Sequence, residues 1–267
     1  MRKRVYFIQT KDAVSYGRDD LKILFSPSES KSILATNQSI NKNSFCCKNL
    51  YEKRLEVFQK YQDILVSNDI KRLKNIFGLK DENRCKELSN IDIKSSSTCK
   101  AIQRYTGVAY NYLNYDTIPD AYKMYIDKNV IIFSNLFGPV LAHNNLPIYR
   151  LKQGSTLEGF KTETFYKENF SFALDKLLEN EFIVDLRAGF YEKFYKIPYP
   201  HITMKFMKNS KVVSHWAKAY RGVVLRQLAL NNITTLENFR NMELENLQIK
   251  EVHKKGLKTE FIYDIST

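Results

Sequence analysis

The chain has 267 residues, of which 43% are hydrophobic and 27% charged, proportions that predict a globular protein with a sizeable core and exclude a disordered one. Forty-two Lys and Arg against 29 Asp and Glu give a net charge of +13, which predicts attraction to nucleic acid or another anionic partner. Apolar runs such as residues 130–133 are far too short to span a membrane, and residues 5–8 are too few for a signal peptide. We therefore expect a cytoplasmic protein that is not bound to a membrane, and a monomer is the simplest expectation for its oligomeric state.

The predicted elements start with a short buried strand at residues 21–25, which Pro27 ends. Amphipathic patterns predict a helix over residues 51–66 and shorter helical pieces over 70–88, broken around Gly78. Next come a strand predicted over residues 99–105 and a tyrosine-rich helical stretch that Pro119 interrupts. The remaining predicted elements are strands at 130–134, 148–151 and 182–186, a helix at 164–178, a hairpin over 202–207 and 211–213, a basic helix after it, and a last strand at 259–265.

Strands and helices alternate without a regular βαβ period. This pattern predicts the α/β (mixed α+β) class, as a single domain over residues 21–267 with a mixed β-sheet flanked by helices. Residues 1–20 differ in composition, and we expect an N-terminal extension that is disordered or not native.

The basic helix begins near Ser214, inside a stretch without carboxylates. Between Glu192 and Glu237 the chain has eight lysines and arginines but no Asp or Glu. At 100° per residue, one predicted face carries Lys218, Arg221, Gly222, Leu225 and Arg226. The opposite face, predicted to be buried, carries Trp216, Ala217, Tyr220, Val223, Val224 and Leu228. The pattern fits a cationic cleft for an anion, or a solvated face on an ordinary core helix.

Four cysteines (Cys46, Cys47, Cys85 and Cys99) are predicted to be reduced thiols. None forms a CxxC pair, and no histidine lies near them at metal-ligand spacing, so no metal site and no cofactor are predicted. The adjacent pair Cys46–Cys47 leaves a vicinal redox pair open as an alternative.

Short polar clusters follow several predicted strands. Because loops at the carboxyl ends of strands line the ligand crevice of open α/β sheets, these clusters are expected to meet in one pocket. The pocket would hold the candidate catalytic residues Glu29, Lys31, Arg187 and His215 together with Lys218.

These clusters, in order, resemble the YaaA family of bacterial peroxide-stress proteins, in the branch whose opening loop reads P-S-E-x-K. The matching segments are residues 23–31 (ILFSPSESK), 104–113 (RYTGVAYNYL), 133–138 (FSNLFG), 147–151 (PIYRL), 184–191 (VDLRAGFY) and 214–226 (SHWAKAYRGVVLR). Residues 140–144 (VLAHN) depart from the Arg-Pro-x-Asp stretch of many members.

The resemblance implies a single domain with YaaA-type topology and a cytosolic role in resisting hydrogen peroxide. It also implies limitation of free-iron damage and binding of double-stranded or branched DNA through a basic cleft. The expected phosphate-binding residues are Lys218, Arg221, Arg226, Arg104, Tyr149 and Arg150. Two classes of function stay open: a DNA-binding stress protein, or an enzyme acting on a nucleotide, nucleobase or damaged DNA in the strand-end pocket.

Overall fold

The structure is a computed structural model that describes residues 21–36, 38–208, 211–212 and 214–265. The predicted N-terminal extension, the predicted turn at residues 209–210 and residue 213 lie outside these described residues. None of the helices in the described ranges is long and apolar enough to cross a membrane.

Ten strands lie within the described residues. They are β1 (Leu21–Phe25), β2 (Thr98–Lys100), β3 (Val130–Ser134), β4 (Gly138–Leu141), β5 (Asn145–Pro147), β6 (Phe182–Asp185), β7 (His201–Lys208), β8 (Lys211–Val212), β9 (Leu247–Lys255) and β10 (Lys258–Ile265). The main sheet has the order β4-β3-β1-β6-β7-β10-β9, with β8 paired to β7, while β2 and β5 form a separate antiparallel pair. In the main sheet β3, β1, β6, β7 and β10 are mutually parallel, and β4 and β9 are antiparallel edge strands.

Helices cover the sheet and connect its strands. Those in the described ranges are α1 (Tyr51–Val66), α2 (Ile70–Phe77), α3 (Glu82–Ser89), α4 (Ala101–Arg104), α5 (Val108–Leu113), α6 (Asp120–Asn129), α7 (Thr162–Leu178), α8 (Ser214–Leu230) and α9 (Leu236–Asn241). Asp69 caps the start of α2 by accepting hydrogen bonds from the N–H groups of Lys71 and Arg72. Gly78 ends that helix in a left-handed conformation, which is the predicted break.

Every residue of β1 and β3 is buried, because these central parallel strands are covered on both faces. Their predominantly apolar sequences made them the clearest predictions, and the predicted mixed α/β class is confirmed. The parallel arrangement brings the carboxyl ends of β3, β1 and β6 to one edge of the sheet.

Two predicted strands are wrong. Residues 99–105 form a three-residue strand followed by the short helix α4, and the strand predicted at 148–151 lies earlier, at Asn145–Pro147. In each case a run of apolar residues packs into the core without forming a strand over its length. Burial alone produces such a run, so apolar sequence did not decide between strand, short helix and irregular chain.

The predicted orientation of α8 is also wrong in part. Gly222 and Leu225 are buried, whereas Trp216, predicted to be buried, is 40% exposed. The reason is close packing of α8 on α5: a Cβ atom on Gly222 would lie 1.9 Å from the carbonyl oxygen of Ala109. The side of α8 that carries Trp216 instead lines an open groove of about 250 Å³ with Tyr112 of α5.

Candidate functional site at the strand ends

Three loops meet where β1, β3 and β6 end. The Ser26 hydroxyl accepts a hydrogen bond of 2.8 Å from the N–H of Ala188, which joins the loop after β1 to the loop after β6. The Ser26 carbonyl accepts a hydrogen bond of 2.8 Å from the hydroxyl of Tyr110 on α5. The polar clusters at residues 26–31, 104–110 and 185–191 therefore converge at one edge, whereas no contact among the described residues brings Lys218 to them.

The loop after β1 is fixed against the segment that leads into α5. The N–H of Thr106 donates to the Ser30 carbonyl at 3.0 Å, and that of Ser32 donates to the Arg104 carbonyl at 2.8 Å. Gly107 has a φ of +104°, and a Cβ atom there would lie 2.9 Å from the Ser28 hydroxyl. This contact requires glycine both for its conformation and for its lack of a side chain.

Lys31 is held in this loop without a carboxylate at ion-pair distance among the described residues. Its amine donates to the carbonyl oxygens of Ser28 (3.1 Å) and Glu29 (3.2 Å), and lies 4.2 Å from the ring centre of Tyr149. Burial, and to a smaller extent the charge of Arg150, lower the pKa of Lys31 from 10.5 to about 7. A substantial fraction of this amine is therefore neutral near physiological pH.

A chain of hydroxyl groups lies beneath the lysine. The Tyr149 hydroxyl is 2.7 Å from the Tyr105 hydroxyl and 2.7 Å from Oγ of Ser134 at the end of β3. Burial raises the pKa of Tyr105 to about 12, so this group is protonated at neutral pH. Next to Ser134, Asn135 is 5% exposed and its Oδ1 accepts no hydrogen bond from the residues described. A buried acceptor without a donor marks a place where a ligand group can be accommodated.

Glu29 and Arg150 complete the cluster. The two charged groups lie 3.6 Å apart, the N–H of Gln153 donates to Glu29 at 3.1 Å, and Nε of Arg150 donates to the Phe77 carbonyl at 2.7 Å. We call the following six residues the strand-end centre: Glu29, Lys31, Tyr105, Ser134, Tyr149 and Arg150. It combines a perturbed amine, a carboxylate, a cation and a hydroxyl chain, which are the groups of acid–base and anion-binding chemistry.

Arg187 lies near this edge but is occupied by its own partners. It forms a two-pronged ion pair with Asp185, with both N–O distances 2.8 Å, and both side chains are buried. The same guanidinium donates to the carbonyls of Tyr191 and Tyr195 and lies over the Phe133 ring. This geometry favours a structural role in fixing the loop after β6, and the predicted catalytic role of Arg187 stays a prediction.

The candidate phosphate-binding residues divide by exposure. Arg104 and Tyr149 are 1% and 3% exposed, and Arg226 donates 2.9 Å hydrogen bonds to the carbonyls of Leu113 and Asn114 at the end of α5. Lys218 is exposed on α8. Their assignment to phosphate binding stays a prediction.

Arg221 differs from these residues because it is half-buried and makes no hydrogen bond or ion pair within the described part of the chain. Burial lowers the pKa of Arg221, opposed by the charge of Asp185, whose carboxylate is already bound by Arg187. We call three cations on β7 and α8 the basic strip: Lys208, which lies over the Trp216 ring of α8, Lys218 and Arg221.

The side chain of His215 lies outside the described residues, so its predicted role stays a prediction. Within the described ranges no group of three or more His, Cys, Asp or Glu could hold a metal ion. The sequence analysis listed Tyr149 as a phosphate-binding residue and missed the hydroxyl chain that joins it to Tyr105 and Ser134. Both tyrosines lie in segments that resemble the family, but so does Tyr110, and no local pattern shows which hydroxyl groups meet.

The unusual environment of Lys31 predicts a pH-dependent stability. Between pH 7 and 10.5 the unfolded chain binds more protons at this group than the folded one, so the free energy of unfolding rises with pH. In urea titrations, the free energy of unfolding of wild type minus that of Lys31→Met should increase by about 2 kcal/mol between pH 7 and pH 9. The comparison cancels contributions from other groups, and a constant difference would show that Lys31 is fully charged in the folded state.

Comparison with known proteins places the chain among bacterial relatives. Residues 21–253 match the family described as peroxide stress protein YaaA. An uncharacterised protein of Campylobacter jejuni is 45% identical over 245 residues, covering 92% of this chain and 99% of the relative. A UPF0246 protein of Corynebacterium efficiens is 33% identical, covering 58% of this chain and 64% of the relative. A UPF0246 protein of Fusobacterium nucleatum is 27% identical, covering 86% of this chain and 94% of the relative.

Proposed function

Because the chain belongs to the YaaA family of peroxide stress proteins, we propose that it is a cytoplasmic protein that protects DNA from peroxide by binding it through the basic strip. The bound DNA would be double-stranded or branched. Protection from damage by free iron and peroxide would follow from this occupancy, since covered DNA is shielded from radicals formed in solution.

The observation that carries this proposal is the guanidinium of Arg221, which has no hydrogen-bond or ion-pair partner among the described residues. A half-buried cation without an acceptor is poorly solvated, and a phosphate oxygen would supply the missing partner. Lys218 lies one turn earlier on the same helix and is exposed. Residues 193–236, which contain the basic strip, have no carboxylate. Asp185, whose charge acts on Arg221, is already paired with Arg187.

The test measures DNA affinity across a salt series for wild type and for Lys218→Ala/Arg221→Ala. Arg226 is left in place because it binds the end of α5. The double variant should bind more weakly, and the slope of log K against log salt should fall by about 2. Lys71→Ala/Lys86→Ala removes two exposed cations from α2 and α3, so it controls for net charge and should leave the slope unchanged. Equal losses in both variants would contradict the basic strip as the binding site.

A second candidate function is chemistry on a nucleotide, nucleobase or damaged DNA at the strand-end centre. Lys31 favours it, because an amine that is partly neutral near pH 7 can accept or deliver a proton, as general acid–base catalysis requires. Under the DNA-occupancy proposal, Glu29→Gln should leave both DNA affinity and peroxide survival unchanged. Cells that carry Glu29→Gln and become peroxide-sensitive, although the protein still binds DNA normally, would favour the enzyme.

A further inference from the structure

A second perturbed group lies away from the strand ends, around Arg54 of α1. Arg54 is 0% exposed, and its guanidinium donates to the backbone carbonyls of Cys46, Phe137 and Pro139. No carboxylate lies at ion-pair distance among the described residues, and Nε has no hydrogen-bond acceptor. Because burying a cation without a counter-ion is costly, this site strongly favours a negative charge beside Arg54.

Cys46 is the group that can supply that charge. Its Sγ lies 4.0 Å from Nη2 of Arg54, and as a thiol it donates a 3.2 Å hydrogen bond to the Pro139 carbonyl; the side chain of Cys47 lies beside it. Interaction with Cys47 and the charge of Arg54 lower the pKa of Cys46 to about 7, although burial opposes this. Interaction with Cys46 and burial raise the pKa of Cys47. Tyr51 and Tyr166 also face Arg54, but burial raises the pKa of each, so both stay protonated.

We propose that Cys46 and Cys47 form a peroxide-reactive dithiol in which hydrogen peroxide oxidises the Cys46 thiolate and Cys47 resolves the product. The thiolate attacks one peroxide oxygen, the O–O bond breaks, and the departing hydroxide takes up a proton to form water. The Cys47 thiol then attacks the sulfur of the resulting sulfenic acid, the S–O bond breaks, and the departing hydroxide takes the Cys47 proton and leaves as a second water. Two electrons pass from the pair to one peroxide, and an external dithiol reductant reverses the change.

The position of the pair suits this chemistry. Cys46 is 9% exposed and Cys47 is half-buried, in a segment flanked by exposed residues of two short 3-10 turns, so a molecule as small as peroxide can approach. Neighbouring Cα atoms are about 3.8 Å apart, less than an ordinary disulfide spans, so the bridge would be strained and easily reduced. These are properties of a reversible switch, and they do not depend on DNA binding.

Two other cysteines act as internal controls. Cys85 and Cys99 are 0% and 3% exposed, and burial raises the pKa of both. With the full-length reduced protein at pH 7, one equivalent of hydrogen peroxide should oxidise Cys46 about tenfold faster than either control. Peptide mass spectrometry should show loss of two hydrogens between Cys46 and Cys47, restored by dithiothreitol.

Variants distinguish the cysteine that attacks peroxide from the cysteine that resolves the product. Cys47→Ser should accumulate a Cys46 sulfenic acid that dimedone captures, and Cys46→Ser should abolish the fast reaction. In wild type the rate should be half-maximal near pH 7, and Arg54→Lys, which keeps the charge but moves it, should shift this midpoint upward. The wild-type pH profile decides the question even if Arg54→Lys does not fold. Oxidation of Cys46 no faster than of Cys85, or a wild-type sulfenic acid that leaves Cys47 as a free thiol, would overturn the proposal.

Discussion

Replacing Gly222 with alanine is expected to destabilise the protein by about 3 kcal/mol, the cost of forcing extra atoms into a packed core. On helix propensity alone the change should stabilise α8 by about 1 kcal/mol, because alanine is the better helix former. The change is expected to be destabilising instead, because the new Cβ would lie 1.9 Å from the Ala109 carbonyl oxygen and 3.0 Å from the Leu113 nitrogen. Both are backbone atoms of α5, so relief requires the two helices to separate. Urea unfolding followed by circular dichroism measures the change.

Gly256→Ala is the matched control. Gly256 lies in the turn between β9 and β10, and nothing lies within 4 Å of a Cβ atom built there. Its φ of +58° makes alanine unfavourable by about 1 kcal/mol through backbone strain alone. A Gly222→Ala protein that is as stable as wild type would show that α5 and α8 are farther apart than described.

The α5–α8 contact also matters for the site. The turn at Gly107 that precedes α5 packs on Ser28 of the first loop, and α8 carries Lys218 and Arg221. Separating the helices would therefore move the basic strip relative to the strand-end centre. We expect Gly222→Ala to weaken DNA binding even under conditions in which the variant remains folded.

The sequence predicted the central sheet well because β1 and β3 are buried on both faces and therefore read as short, predominantly apolar runs, interrupted in β1 only by Lys22. The edge strand β9 was missed for the opposite reason. All but its first residue are exposed and many are charged, so its position is set by pairing with β10 rather than by burial. Its partner β10, which is half-buried, was found by alternation.

The convergence of the strand-end loops was predictable, because parallel strands place their carboxyl ends together. What each side chain does there was not predictable from spacing. Glu29 and Lys31 share a loop, yet Glu29 pairs with Arg150, which is far away in the sequence, and Lys31 lies over Tyr149. Such partners depend on the tertiary fold, and no local pattern in the sequence encodes them.

Arg187 shows the same limit and gives the second large prediction. The sequence analysis placed Arg187 among the candidate catalytic residues, whereas its geometry favours a structural ion pair with Asp185. Replacing it with methionine should destabilise the protein by about 3–5 kcal/mol, because Asp185, only 7% exposed, would keep a buried charge without a partner. Urea unfolding at neutral pH measures this loss.

The double variant Asp185→Asn/Arg187→Met separates the two roles of Arg187. It removes both charges, so it should recover a large part of the stability that Arg187→Met loses, even though it also lacks the arginine. Recovery of peroxide resistance in parallel with stability would mean that Arg187 acts by holding the loop after β6. If Arg187→Met were as stable as wild type but left cells peroxide-sensitive, the ion pair would be dispensable for folding. Arg187 would then have to act on a ligand at the strand ends, with Asp185 orienting it.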